Sequence, residues 1–173
     1  ILHVADDKEI KKVMCGIAQF SETQEAVVST VDIRDAVEEA ARLFGKSEEA
    51  KWTRLNKGAV YNHVVAVNRD LLVQVLLNLI VNCGDAMKGS VGRKIEMVME
   101  KEPLILKNRD GQDAKYIRLI VKDNRQEIPT ESVDDRPSLV FSRLIIEGCH
   151  GYIGTQSNEG EGTTVSIDLP LSN

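Results

Sequence analysis

The segment Asn68–Met87, NRDLLVQVLLNLIVNCGDAM, decides the fold of this chain. Its apolar side chains surround most of a helix, and helices that are apolar nearly all round are buried. Asn78, Asn82 and Asp85 are spaced four and three residues apart, so they share one face. Buried amides and carboxylates need partners, and their oxygens are ligands that Mg²⁺ accepts. The stripe predicts a polar pocket, or else a core helix whose polar residues bond to neighbouring backbone.

Apolar periodicity and turn residues predict the other elements. Asp32 caps a helix through Phe44, Asn68 caps the helix quoted above, and Leu139–Cys149 forms a third helix. Strands are predicted at Lys51–Asn56, His63–Val67, Lys94–Glu100, Tyr116–Asp123, Tyr152–Ser157 and Thr163–Leu169, with a hairpin turn at Asn108–Gly111. This order predicts an α/β fold of the α+β kind, a two-layer sandwich of a mixed sheet with helices on one face.

Several landmarks of the sequence follow the order and spacing of a known family. The run NLIVNCGDAM resembles the N box of histidine kinase catalytic domains, and the strand end at Asp123 resembles the start of their G1 box. Their closing motifs resemble HGYI at 150–153, GEGTT at 160–164 and LP at 169–170. From about Val31 to the C-terminus, the chain is therefore similar to the Bergerat-type ATPase domain (HATPase) of a two-component sensor kinase.

The resemblance implies a nucleotide site. Asn82 matches the asparagine that binds Mg²⁺ in the family, and Asp123 matches the carboxylate that accepts a hydrogen bond from the adenine amino group. Thr163 matches a threonine near the same base. ATP and Mg²⁺ are the implied cofactors, and the implied nucleotide-binding residues are Asn78, Asn82, Asp85, Asp123 and Thr163. Without the resemblance, Asp123 would be a strand-end carboxylate that caps a turn, and Thr163 a hairpin residue.

The glycines of the family's G1 and G2 boxes are replaced here. Arg125 and Glu127 stand at the G1 glycine positions, and Arg136 and Ser138 stand at those of the G2 box. Glycine reaches positive φ and lets backbone N–H groups approach a phosphate closely. Glu127 also adds a negative charge where an anionic triphosphate would approach. These replacements predict a degenerate site whose ATP binding is weak or lost.

The two arginines leave an alternative open. Arg side chains bind phosphate well, so Arg125 and Arg136 would either contact nucleotide or pair internally with Glu127, Asp134 or Asp135 and plug the site. The segment Thr130–Asp135 between the boxes is short, whereas active members of the family carry a long mobile lid there. The four replaced glycines and the missing lid outweigh two possible arginine contacts and favour a degenerate domain whose ATP binding is weak or absent.

The N-terminal part predicts a flanking element. Residues 1–22 resemble the C-terminal part of a dimerisation-hairpin helix, 23–31 would be a linker, and 32–173 the ATPase-like domain. His3 lacks the surroundings of a phosphoacceptor, so any such histidine is expected upstream. Because the chain opens at Ile1 without methionine or a signal-peptide layout, we expect a piece of a longer, cytoplasmic protein.

Composition narrows the partners. The 173 residues carry a net charge of −5, which argues against a nucleic-acid or anionic-membrane surface. No apolar stretch of about 18 residues is free of polar interruptions, so no membrane span is expected. Three cysteines without a C-x-x-C pair argue for reduced thiols and against a zinc or redox site.

These observations favour a pseudokinase: a regulatory, protein-interaction module of a two-component phosphorelay. Implied partners are the dimerisation hairpin of the same chain, the receiver domain of a response regulator, or another kinase, and the first helix is a candidate dimer interface of a homodimeric parent. One alternative is a divergent active ATP-binding domain that phosphorylates an upstream histidine. Others are the degenerate domain of a histidine phosphotransferase, and glycine losses introduced by engineering.

Overall fold

The structure is a computed structural model that describes residues 29–51, 53–125, 137–158 and 160–172. The described helices are α1 (Ile33–Phe44), α2 (Arg69–Ala86) and α3 (Pro137–Gly148), with a 3₁₀ turn at Glu49–Lys51. The described strands are β1 (Ser29–Asp32), β2 (Thr53–Lys57), β3 (Val64–Val67), β4 (Arg93–Met99), β5 (Leu104–Lys107), β6 (Asp113–Asp123), β7 (Tyr152–Asn158) and β8 (Gly162–Pro170).

One layer of the molecule is a mixed sheet. Its strands run in the order β2-β4-β6-β8-β7, and β5 pairs with the first part of β6. The pair β2–β4 is parallel and the other pairs are antiparallel. Val121 of the long strand β6 lies opposite Met97 of β4 and Val165 of β8, and all three are buried. β1 and β3 form a separate antiparallel pair.

The helices form the second layer. Helix α2 contacts α1, α3 and the strands β4 and β6, which explains why it is apolar nearly all round. Leu76 and Ile80 of α2 are fully buried, as are Ile95 and Leu119 of the sheet. The predicted two-layer α/β sandwich with a mixed sheet is therefore confirmed.

The first two helices are N-capped by the predicted side chains. The Asp32 carboxylate accepts a hydrogen bond from the backbone N–H of Arg34 at 2.9 Å. The Asn68 amide oxygen accepts one from the N–H of Leu71 at 3.1 Å. Each side chain satisfies a backbone donor that the first turn of its helix leaves without a partner.

The end of α3 is closed by a Schellman motif. The N–H of His150 donates to the carbonyl of Glu147 at 3.0 Å, and that of Gly151 donates to the carbonyl of Ile146 at 2.9 Å. This motif places the residue after the helix in the left-handed region, and His150 has a φ of 59°. The histidine therefore takes up a conformation that glycine adopts more easily.

Some boundaries differ from the sequence prediction. Residues 29–31, predicted as the end of a linker, belong to β1 and pair with β3, because a neighbouring strand supplies backbone partners that no local pattern signals. β5 was not predicted, although it completes the hairpin whose turn lies at Asn108–Gly111, and β6 begins at Asp113 rather than Tyr116. The predicted dimerisation-helix segment 1–22 and residues 23–28 lie outside the described residues.

Candidate functional site

The end of β6 carries a buried ion pair. Asp123 is the last residue of this strand, and Arg125 follows two residues later. The Nε of Arg125 lies 2.9 Å from Oδ1 and 3.0 Å from Oδ2 of Asp123, and its Nη2 contacts Oδ2 as well. The side chains of Asp123 and Arg125 are 0% and 8% exposed. The arginine therefore covers the carboxylate that sequence analysis assigns to adenine recognition.

Backbone donors complete the shell of Asp123. Its Oδ1 also accepts from the backbone N–H of Arg125 and from that of Thr163, both at 3.1 Å. An ionised carboxylate offers about four lone-pair positions. Four donor atoms now share them, namely the N, Nε and Nη2 of Arg125 and the N of Thr163. An adenine amino group that approached Asp123 would therefore have to displace at least part of the Arg125 side chain.

Thr163 joins the same cluster through both its backbone and its side chain. Its residue exposure is 1%, and its Oγ1 lies 2.8 Å from Oγ of Ser157 on the neighbouring strand. The preceding Gly162 has a φ of 92°, and a Cβ built there would lie 1.9 Å from the carbonyl oxygen of Asp123. The start of β8 thus presses directly against the end of β6, and only glycine allows this approach.

Asn124 ties the end of β6 to β4. Its Oδ1 accepts from the N–H of Lys94 at 2.8 Å, and its Nδ2 donates to the carbonyl of Gly92 at 3.0 Å. The backbone N–H of Asn124 donates to the carbonyl of Lys94 at 3.2 Å. The residue between Asp123 and Arg125 is therefore held from the opposite side, which favours the turn that brings the guanidinium onto the carboxylate.

The polar stripe of α2 is only partly enclosed. Asn78 is half-buried, and its Nδ2 donates to Oγ of Ser142 on α3 at 3.4 Å. Asn82 is also half-buried, whereas Asp85 is exposed and its Oδ1 lies 3.6 Å from Nζ of Lys88. The stripe therefore runs from the interface with α3 at Asn78 towards solvent at Asp85.

Of the remaining predicted site positions, two lie in the described residues and two lie outside them. Arg125 is the buried partner of Asp123, which differs from the expected pairing with Glu127, Asp134 or Asp135. Ser138 lies in the first turn of α3. Glu127 and Arg136, together with the whole segment 126–136, lie outside the described residues.

A local signal for the ion pair is present in the sequence. Residues i and i+2 of an extended chain point to the same side, so Asp123 and Arg125 at a strand end are within reach of each other. Ser142, which meets the α2 stripe, carries no such signal, because its position depends on how α3 packs against α2.

No group of three or more His, Cys, Asp or Glu side chains that would hold a metal ion occurs in the described ranges. Within the same ranges, no helix is long and apolar enough to cross a membrane.

At the end of α3, burial raises the pKa of the Cys149 thiol.

Comparison with known proteins gives the fold a family context. No protein-family model matches the chain. The phytochrome-like protein Cph1 of Synechocystis sp. is 27% identical over 158 residues, which are 88% of this chain and 21% of Cph1. The chain thus spans about a fifth of the curated relative that it matches.

Solved structures of histidine kinases share the fold. The mycobacterial sensor histidine kinase MprB has a TM-score of 0.64 at 14% identity, over 84% of this chain and 98% of MprB. The catalytic domain of the histidine kinase ThkA has a TM-score of 0.61 at 20% identity, over 83% and 96%. The Acinetobacter baumannii histidine kinase AdeS has one of 0.62 at 18% identity, over 96% and 77%.

Proposed function

We propose that this chain, which has the fold of histidine kinase catalytic domains, is a degenerate catalytic domain of a two-component signalling histidine kinase. It binds ATP weakly or not at all and acts as a regulatory, protein-interaction module. One observation carries this proposal: the Arg125 side chain and two backbone N–H groups occupy the acceptor positions of Asp123. A nucleotide that used this carboxylate would first have to displace the arginine.

Energetics make that displacement unfavourable. Separating one partner from a buried ion pair costs about 3–5 kcal/mol. A hydrogen bond to a charged group contributes about 1.5–3 kcal/mol in return. With the middle of each range, the exchange loses about 1.8 kcal/mol, which weakens binding roughly 20-fold, since about 1.4 kcal/mol corresponds to tenfold. The replaced glycine positions at Glu127, Arg136 and Ser138 would add to this loss.

A divergent but active ATP-binding domain is the second candidate. Its support is that Asn82 is half-buried and Asp85 exposed on one face of α2, where oxygen ligands remain near solvent. Gly162, with its positive φ, also remains beside Asp123. Such a domain would phosphorylate a histidine outside this chain. A degenerate domain that follows a working histidine phosphotransferase hairpin would also have its Asp123 covered by Arg125.

The proposed role implies particular domain boundaries, partners and a cytoplasmic setting. Residues 1–22 would belong to the dimerisation hairpin of the same chain, 23–31 would lead into the domain at 32–173, and the parent would be a homodimer. A receiver domain of a response regulator or another kinase would contact the domain in the cytoplasm. The vestigial nucleotide residues would be Asn78, Asn82, Asp85, Asp123 and Thr163, with Asn82 as the former metal ligand.

Calorimetric titration with ATP, with and without Mg²⁺, tests the proposal. We expect no heat of binding and no thermal shift at millimolar nucleotide. The Asn82→Ala and Asp123→Asn variants should then behave like the parent chain. Micromolar binding that both substitutions abolish would overturn the proposal in favour of the active domain.

The Arg125→Gly variant tests the cause. It restores the glycine of the family's G1 box and exposes the Asp123 carboxylate, so its nucleotide affinity should exceed that of the parent chain. An Arg125→Gly variant that folds but shows no gain would mean that features other than the ion pair prevent binding.

A further inference from the structure

A groove of positive charge lies where β2 and β4 begin. Four cationic side chains line it, with Gly92 and Asn124 beside them, and its volume is about 660 Å³. The cations of this basic groove are Lys51, Arg54, Arg93 and Lys94. No acidic side chain is among its described lining residues.

Lys51 of the basic groove pairs with Glu48 at 2.6 Å, and Nε of Arg93 donates to the carbonyl of Ser90 at 3.2 Å, whereas Arg54 and Lys94 are poorly compensated. Arg54 and Lys94 are direct neighbours in the parallel register of β2 and β4, and like charges opposite each other destabilise a sheet. Nζ of Lys94 has its nearest acidic partner, Oε2 of Glu96, at 3.9 Å, with both side chains well exposed. The Arg54 side chain makes no ion pair or hydrogen bond within the part of the chain that the structure describes. An anionic partner would relieve this repulsion.

The shape of the basic groove favours a protein segment over a small anion. Small-molecule sites enclose most of their ligand, whereas Lys51 and Lys94 here are 61% and 45% exposed and stand at separate positions along the groove. The overall net charge of −5 disfavours nucleic acid as the occupant.

We propose that the basic groove binds an acidic, extended segment of a protein partner. The segment would lie across the beginnings of β2 and β4, where its carboxylates would face Arg54 and Lys94. This inference deepens the proposed function and rests on it, since it gives the chemistry of a partner for the interaction role. Electrostatic attraction of this kind speeds encounter and weakens as salt rises.

Fluorescence anisotropy with a labelled decaglutamate peptide tests the inference on the whole chain. We expect binding that strengthens as salt is lowered, with no binding of a decaglutamine peptide. The Arg54→Glu/Lys94→Glu variant should bind decaglutamate about tenfold more weakly or worse. The matched Lys101→Glu/Lys115→Glu variant carries the same charge change on exposed lysines outside the groove and should stay within about twofold of the parent chain.

A milder variant and a competitor keep the test decisive. If the charge-reversed chain fails to fold, Arg54→Gln/Lys94→Gln should still weaken decaglutamate binding several-fold. Equal losses in the two charge-reversed variants would overturn the inference, because they would reveal a general charge effect. Inorganic phosphate that displaces decaglutamate at equal charge concentration would also overturn it and point to a small-anion site.

ATP titration of the same variants separates the two proposals. Micromolar nucleotide binding by the parent chain would overturn the proposed function, whereas the peptide comparison would still decide whether the groove binds an acidic segment. Loss of the peptide effect without nucleotide binding would overturn only the inference about the partner.

Discussion

Replacing Arg125 with alanine should lower the free energy of unfolding by about 3 kcal/mol. The side chains of Arg125 and Asp123 are 8% and 0% exposed, so the substitution leaves a buried carboxylate without its counter-charge. Such a loss costs about 3–5 kcal/mol. The lower end applies because the backbone N–H groups of residue 125 and Thr163 still donate to Asp123 at 3.1 Å.

Urea unfolding followed by circular dichroism measures this loss. With a slope of about 2 kcal/mol per molar urea, the midpoint should fall by about 1.5 M. The Asp123→Asn/Arg125→Ala double variant removes the buried charge as well and should recover at least about 1 kcal/mol. Lys107→Ala is the control, because Lys107 pairs with Asp113 at 2.7 Å but the two side chains are 67% and 66% exposed, so its removal leaves no buried charge. Its loss should be smaller.

A loss in Arg125→Ala of no more than about 0.5 kcal/mol, the value of an exposed ion pair, would refute the reasoning. The guanidinium would then be solvated in solution and would leave Asp123 open to a nucleotide.

Three further predictions concern single positions. Gly162→Ala should lower the free energy of unfolding by more than about 3 kcal/mol, because its Cβ would lie 1.9 Å from the carbonyl oxygen of Asp123. Gly160→Ala, at a position with a positive φ but nothing within 4 Å, should lower it by about 1 kcal/mol. Equal shifts of the two in thermal unfolding would exclude the close approach as the cause. His150→Gly should raise the free energy of unfolding by about 0.5 kcal/mol. It relieves the backbone strain of a φ of 59°, and this gain exceeds the extra conformational entropy that glycine gives the unfolded chain. A lower unfolding midpoint would contradict this. Burial raises the pKa of the Cys149 thiol and so lowers its thiolate fraction at a given pH. Alkylation by iodoacetamide, followed by peptide mass mapping from about pH 7 to 9, should therefore be slower than for a cysteine peptide, and an equal rate would argue against burial.

Much of the fold was predictable because its signals are local. The caps Asp32 and Asn68 hydrogen-bond within the next three residues, and the buried strands β4 and β6 show their alternation in sequence. β1 and β5 were missed because, unlike β3, which also has four residues, they lack a run of valines. Each depends on a partner strand, β3 or β6, for its hydrogen bonds, and a short stretch carries too little pattern to reveal such pairing.

The candidate site divides in the same way. Residue types and spacing pointed to the α2 stripe, whereas the family resemblance pointed to Asp123 and Thr163, and to Arg125 as a departure from the family. They left open which acid Arg125 would meet, because several acids follow it in the chain. The hydrogen bond between Asn124 and the N–H of Lys94, together with the packing of β8 beside β6, makes Asp123 the partner of Arg125.

The sequence by itself determined the three described helices, six of the eight described strands and the mixed two-layer fold, because periodicity, capping and turn chemistry act over a few residues. Its resemblance to histidine kinase catalytic domains marked the positions where glycine is replaced. Only the tertiary structure decided that the Asp123 carboxylate is covered by Arg125 and that Arg54 and Lys94 stand side by side at the edge of the sheet. Both depend on strand register and on which face of each strand is buried, and these are settled when distant segments pack together.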